Sequence, residues 1–115
     1  MRISEETGNQ IAVFDWLRAM NLDKVAFHIA NERACSPQYG ALLKRMGTKA
    51  GVSDIFIARK SRAYIGAWIE MKSAKGKLTP KQKEFLEAAT EEGYYTKVAY
   101  SSEEAIDAIK WYLQM

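Results

Sequence analysis

Apolar positions recur along this chain in two rhythms, one helical and one alternating. Ile11, Phe14 and Leu17, with Val13 and Met20, fall at helical spacing. Ser4 can cap that helix, and Glu5 and Glu6 occupy its first turn, where the helix dipole favours acids. Residues 24–30 (KVAFHIA) alternate instead, with Val25, Phe27 and Ile29 on one face and Ala26, His28 and Ala30 on the other. Ser36-Pro37 reads as a cap followed by proline at the first helical position, opening a second helix that ends near Gly47. Two apolar runs, 54–58 and 64–71, flank the polar link 59–62 and predict an antiparallel hairpin. Thr79-Pro80-Lys81-Gln82 starts a third helix, with Thr79 and Gln82 spaced as a capping box. It carries Phe85, Leu86 and Ala89 and stops at Gly93. Residues 95–100 form a fourth strand, and Ser101 or Ser102 caps a last helix bearing Ala105, Ile106, Ile109 and Leu113. The order α-β-α-β-β-α-β-α predicts an α/β fold, a mixed sheet flanked by helices.

Composition narrows this to one domain over residues 1–115, with 48% hydrophobic residues to build a modest core. No run approaches the roughly 18 apolar residues of a membrane helix. The start, Met-Arg-Ile-Ser-Glu-Glu, has no apolar secretory segment. Cys35 is the single cysteine, so an intrachain disulfide and a cysteine-built zinc site are both excluded. We therefore expect a cytoplasmic protein. The net charge of +3 says little, but its distribution says more. Between residues 44 and 83 stand eleven Lys or Arg and two acids, while the rest has six basic and twelve acidic residues. Such a basic block suits a polyanion. Its two acids are Asp54 and Glu70.

Those acids sit on the predicted hairpin. Residues two apart on a strand share a face, so Glu70 and Lys72 project together. An antiparallel hairpin brings the start of one strand beside the end of the next, so Asp54 should join them at one sheet edge. Two neighbouring carboxylates repel unless a cation lies between them. Their hard oxygens fit Mg²⁺ or Mn²⁺. An adjacent lysine can orient water or offset charge developing on phosphate. Lys75, Lys77, Lys81 and Lys83 follow closely, available for phosphate contacts, with Lys49 on the preceding loop. The combination suits hydrolysis of a phosphodiester.

Asp followed at a distance by Glu-X-Lys on a hairpin is the signature of PD-(D/E)XK nucleases. The surrounding sequence, "KRMGTKAGVSDIFIA…YIGAWIEMKSAKGKLTPKQKEFLEAATEEGYYTKVAYSSEEAIDAI", closely resembles their VRR-NUC branch. In that branch Gly-X-Pro-Asp, Glu-X-Lys, Gly-Lys-Leu-Ser/Thr-X-X-Gln and a Gly-Tyr strand lead-in come in this order. Upstream, "FHIANE" resembles the family's His-X-X-Asn strand end, and "EETGNQ" its first-helix acid with Gln four residues on. The likeness spans nearly the whole chain, as in a stand-alone phage or bacterial member. Ser53 stands where the family has proline, and the Val-Arg-Arg triplet behind the family name is not evident.

The resemblance implies a restriction-endonuclease-like fold and a set of roles. Asp54, Glu70 and the Met71 carbonyl would hold the metal, and Lys72 would position the attacking water. Glu6 corresponds to the first-helix acid that reaches the metal, often through water. Gln82 corresponds to the motif glutamine, though its place in the capping box is itself a sufficient structural reason for it. His28 is by default a structural histidine, with support of the site from behind its ligands, or a DNA contact, as the functional alternatives. Trp16 and Trp68 read as core, Trp111 as a candidate subunit contact, and Cys35 as a small apolar residue. The expected activity is Mg²⁺- or Mn²⁺-dependent hydrolysis of DNA leaving 5′-phosphate and 3′-hydroxyl ends. Branched DNA is the favoured substrate, with a homodimer resolving four-way (Holliday) junctions, since paired cuts in a two-fold junction need two sites. The alternatives are a flap or nick nuclease serving a larger complex, and a non-catalytic nucleic-acid-binding module of the same fold. The latter would be expected to lack Asp54, Glu70 or Lys72, and all three are present.

Overall fold

The computed structural model describes residues 2–30 and 36–115. Cys35, and Asn31 of the His-X-X-Asn stretch, lie outside the described residues. The elements are α1 (Glu5–Ala19), β1 (Ala26–His28), α2 (Pro37–Arg45), β2 (Ile55–Ile57), β3 (Ala67–Met71), α3 (Pro80–Glu91), β4 (Tyr95–Ala99) and α4 (Ser102–Leu113). Their order is the one the sequence pattern predicts. Ser4, Ser36, Thr79 and Ser101 each accept a hydrogen bond from a backbone N–H of the first turn they cap.

The sheet order is β1-β2-β3-β4. β1 and β2 pair antiparallel, as do β2 and β3, whereas β3 and β4 run parallel. A parallel pair needs a crossover, and α3 supplies it. Ile55 faces Ile69, and Ile57 faces Ala67, so these residues share one side of the sheet. Ala99, beside Met71, extends that side. Against it pack α1 and α4, through Val13, Leu17, Ala105, Ile109 and Tyr112, all fully buried. Each large aliphatic side chain here contributes about 2 kcal/mol by leaving water. The opposite side carries Phe56 and Trp68 under α3. Trp68 lies 4.5 Å from the Phe56 ring and meets Phe85 edge-on at 4.9 Å, which makes it a packing residue.

Three local expectations are corrected. Ile11 and Met20 belong to the helical pattern of α1 but are exposed, because α1 turns Val13 and Leu17 inward. The strand expected over 24–30 shortens to three residues at the sheet edge. The strand expected over 64–71 begins only at Ala67. Before it, Ser61 and Tyr64 bridge a turn whose centre, Arg62 and Ala63, is left-handed, with φ of 51° and 68°. That turn folds onto the end of α4. Arg62 stacks over the Trp111 ring at 4.2 Å, and the Tyr112 hydroxyl donates to the Arg59 carbonyl at 2.5 Å. The basic link therefore docks on its own chain, roughly 20 Å along the strands from Asp54. No helix among the described residues is long and apolar enough to cross a membrane.

Candidate active site

Asp54 immediately precedes β2, and Glu70 is the penultimate residue of β3. Ile55 is registered with Ile69, so the next position out sets Asp54 against Glu70. Asp54 Oδ2 accepts the Met71 N–H at 2.8 Å, which fixes the aspartate across the end of the hairpin. Lys72 follows on the same face as Glu70, and its own N–H donates to the Ala99 carbonyl, continuing the ladder to β4. The Met71 side chain points into the core, so only its backbone is available at the site.

All of these polar groups are withdrawn from solvent. Glu70 is 2% exposed, Gln82 7%, and Asp54 and Lys72 9% each. Ser53 is completely buried. Burial of charge on this scale costs free energy unless partners compensate. Compensation here is incomplete. Among the described residues, Glu70 Oε1 and Ser53 Oγ complete no hydrogen bond. Glu70 Oε2 has Gln82 Nε2 at 3.4 Å, a long contact. The Glu70 carboxyl is accordingly pushed up to about 9. Burial is the largest cause, followed by the negative charge of Asp54 and a contact with it that favours a shared proton. Lys72 works in the opposite direction, as does the nearby Ser53 hydroxyl, which lies close without completing a bond.

A divalent cation fits this donor set. Two adjacent hard carboxylates, one with an orphaned buried oxygen and a strong tendency to keep a proton, lack a positive partner that Lys72 alone does not replace. Among the described residues no three His, Cys, Asp or Glu side chains form a cage. Glu6 therefore does not complete a three-carboxylate site with Asp54 and Glu70. It lines a neighbouring cavity of about 230 Å³ with Gln10, His28 and Asp54. The half-buried Glu6 thus shares this cavity with Asp54. Glu5 turns elsewhere and accepts the Ala74 N–H at 3.4 Å, touching the turn after Lys72.

Gln82 combines both expected roles. Its Oε1 accepts the Thr79 N–H at 2.9 Å and its own N–H donates to Thr79 Oγ1, closing the capping box. The same amide then presents Nε2 to Glu70. His28 Nδ1 lies 2.8 Å from the Asp54 carbonyl, which can only accept, so the ring proton is on Nδ1. His28 thus holds the backbone of Asp54 and lines the same cavity. Lys49 and Lys81 line one cleft, and Lys75 and Lys77 are exposed on the turn after Lys72.

Ser53 escaped the sequence reading. It occupies a position where proline shapes a turn, yet its hydroxyl is buried beside Glu70. The available signal was its place next to Asp54. Gly51 also matters more than a loop glycine suggests. Its φ is 89°, and a Cβ there would come within 2.6 Å of the Lys81 backbone. The approach to Asp54 is therefore pressed onto the start of α3.

Comparison with known proteins bears on the whole chain. The VRR-NUC domain family matches residues 4–103. A solved structure described as a VRR_NUC domain protein superposes with a TM-score of 0.83 at 32% identity. The match covers 99% of this chain and 92% of that one. No curated protein matches the chain. With the fold, the hairpin and the extent of the match in agreement, the chain belongs to the VRR-NUC family, and a nuclease-type function acting on DNA follows from that membership.

Proposed function

We propose that this protein is a metal-dependent endonuclease that cuts branched DNA, with four-way junctions as its preferred substrate. The observation that carries the catalytic part is the buried pair Asp54 and Glu70, short of partners, with Lys72 beside it at the end of one hairpin. Asp54 and Glu70 would hold Mg²⁺ or Mn²⁺, with the Met71 carbonyl as a further oxygen and Glu6 acting across the cavity. When bound, the cation supplies Lewis acidity toward a phosphoryl oxygen and acidifies water.

The chain's own groups do the rest. Met71 N–H and the His28 ring hold Asp54 by its side chain and its backbone. Gln82 ties Glu70 to the N-terminus of α3. Lys72, on the same strand face as Glu70 and acting on it through its positive charge, would orient the attacking water and offset charge that develops on the phosphate. To serve as a ligand, Glu70 would have to give up the proton that its burial favours. The products would carry 5′-phosphate and 3′-hydroxyl ends.

The preference for junctions rests on symmetry. A four-way junction is two-fold, and paired cuts call for two copies of a site present once per chain. The test is cleavage of a matched panel of linear duplex, single strand, flap and four-way junction with Mg²⁺ or Mn²⁺. The reading expects junctions to be cut fastest, by symmetric incisions. Faster cutting of flaps or nicked duplex would favour the flap or nick alternative. Equal cutting of linear and branched DNA would remove structure selectivity altogether.

A further inference from the structure

A basic feature lies on the segments that lead to the carboxylates. Lys44, Gly47, Thr48, Lys49, Ala50 and Lys81 line a cleft of about 330 Å³ between the loop after α2 and the start of α3. Three of its six lining residues are lysines and none is acidic. Among the described residues neither Lys44 nor Lys81 carries an ion pair. Like charges gathered around one concavity repel at short range, and an anion between them reverses the sign of that interaction.

The cleft is built rather than incidental. Gly51 presses the loop onto the Lys81 backbone, so the two walls cannot slide apart without opening that contact. Both walls lead directly into the catalytic constellation. The loop continues through Ser53 to Asp54, and Lys81 is followed by Gln82, which meets Glu70. Successive residues on a helix point about 100° apart, so Gln82 can face the sheet while Lys81 faces the cleft. An anion held here keeps a fixed offset from the carboxylates.

We infer that this cleft is a phosphate subsite: Lys44, Lys49 and Lys81 jointly hold one backbone phosphodiester of the DNA strand, away from the bond being cut. The inference rests on the nuclease reading for the identity of its ligand. It adds Lys44 to the DNA-contacting residues and makes the three lysines one unit. Its function is positional. Anchoring one phosphate sets which neighbouring phosphate reaches Asp54 and Glu70.

A charge-sharing unit differs measurably from scattered surface lysines. The experiment is binding of a short labelled duplex in EDTA, so that nothing is cut, between about 50 and about 200 mM salt. The proteins are wild type, Lys49→Gln, Lys81→Gln and the double variant. Each single change should lower affinity several-fold and reduce the salt slope by about one at most. The double variant should bind about as well as the weaker single one, with a total slope loss still near one, because a single phosphate is at stake. Losses that multiply, with a slope reduction near two, would overturn the shared site. So would unchanged affinity and slope in all three variants. Coupled lysines in a protein that cuts no DNA would leave the cleft standing and remove the nuclease activity. Cleavage with independent lysines would do the reverse.

Discussion

Glu70 concentrates the physical tension of this molecule. Its folded-state pKa of about 9 lies far above the ordinary 4.5. Between those values the folded chain keeps a proton that the unfolded chain has released. The cation-free protein should therefore lose stability as pH rises from about 5 to about 9. Added Mg²⁺ should reduce that loss by stabilising the charged form, and Glu70→Gln should flatten the dependence. Melting temperature against pH, with and without Mg²⁺, checks this. A wild-type profile that is flat, or that rises with pH, would contradict the environment described. Gln82 allows a second separation. Thr79→Ala and Gln82→Ala each break the capping box and should cost about 1 kcal/mol in urea unfolding. Only Gln82→Ala also removes a partner of Glu70, so only it should lower kcat. Equal kcat in both would leave Gln82 a purely structural residue. Asp54, Glu70 and Lys72 were readable from the sequence because strand alternation and hairpin pairing are short-range rules. The buried Ser53 was not, since burial of a loop hydroxyl depends on what packs over it from elsewhere in the chain.

At the level of elements, two backbone positions connect sequence to site. Gly51 combines a left-handed φ with a close approach to Lys81. Gly51→Ala should destabilise the fold by roughly 2–3 kcal/mol and shift Asp54 away from Glu70. Cleavage should then fall in the fraction that remains folded. Ala63 is the contrasting case. It adopts φ 68° in a hairpin turn that ordinarily uses Asn-Gly. Ala63→Gly should raise stability by about 1 kcal/mol by relieving that conformation. Urea unfolding measures both. A stabilising Gly51→Ala, or a destabilising Ala63→Gly, would show that the local backbone was misjudged. The order of helices and strands was legible because caps and periodicity mark them locally. The bounds of β1 and β3 were not, because the sheet edge and the turn at Arg62 and Ala63 depend on neighbours. Arg62 illustrates this. Its guanidinium lies on Trp111, a residue distant in sequence that no local pattern connects to the hairpin tip.

For the molecule as a whole, charge and architecture point the same way. The basic block from residue 44 to residue 83 includes the hairpin, the cleft lysines and the turn after Lys72, and its two carboxylates are the ones in the site. On the proposed junction reading, paired cuts call for two sites, so sedimentation at micromolar concentration, with and without junction DNA, should find a dimer. A monomer in both conditions would contradict paired cleavage. The central claim concerns the chemistry at the end of the hairpin, and one measurement tests it most directly. It is the rate of DNA cleavage by wild type and Lys72→Ala, each in Mg²⁺ and in EDTA. The account predicts cutting by wild type in Mg²⁺, none in EDTA, and a loss of at least about 10²-fold in Lys72→Ala. Cleavage that persists in EDTA, or a Lys72→Ala variant as fast as wild type, would contradict it.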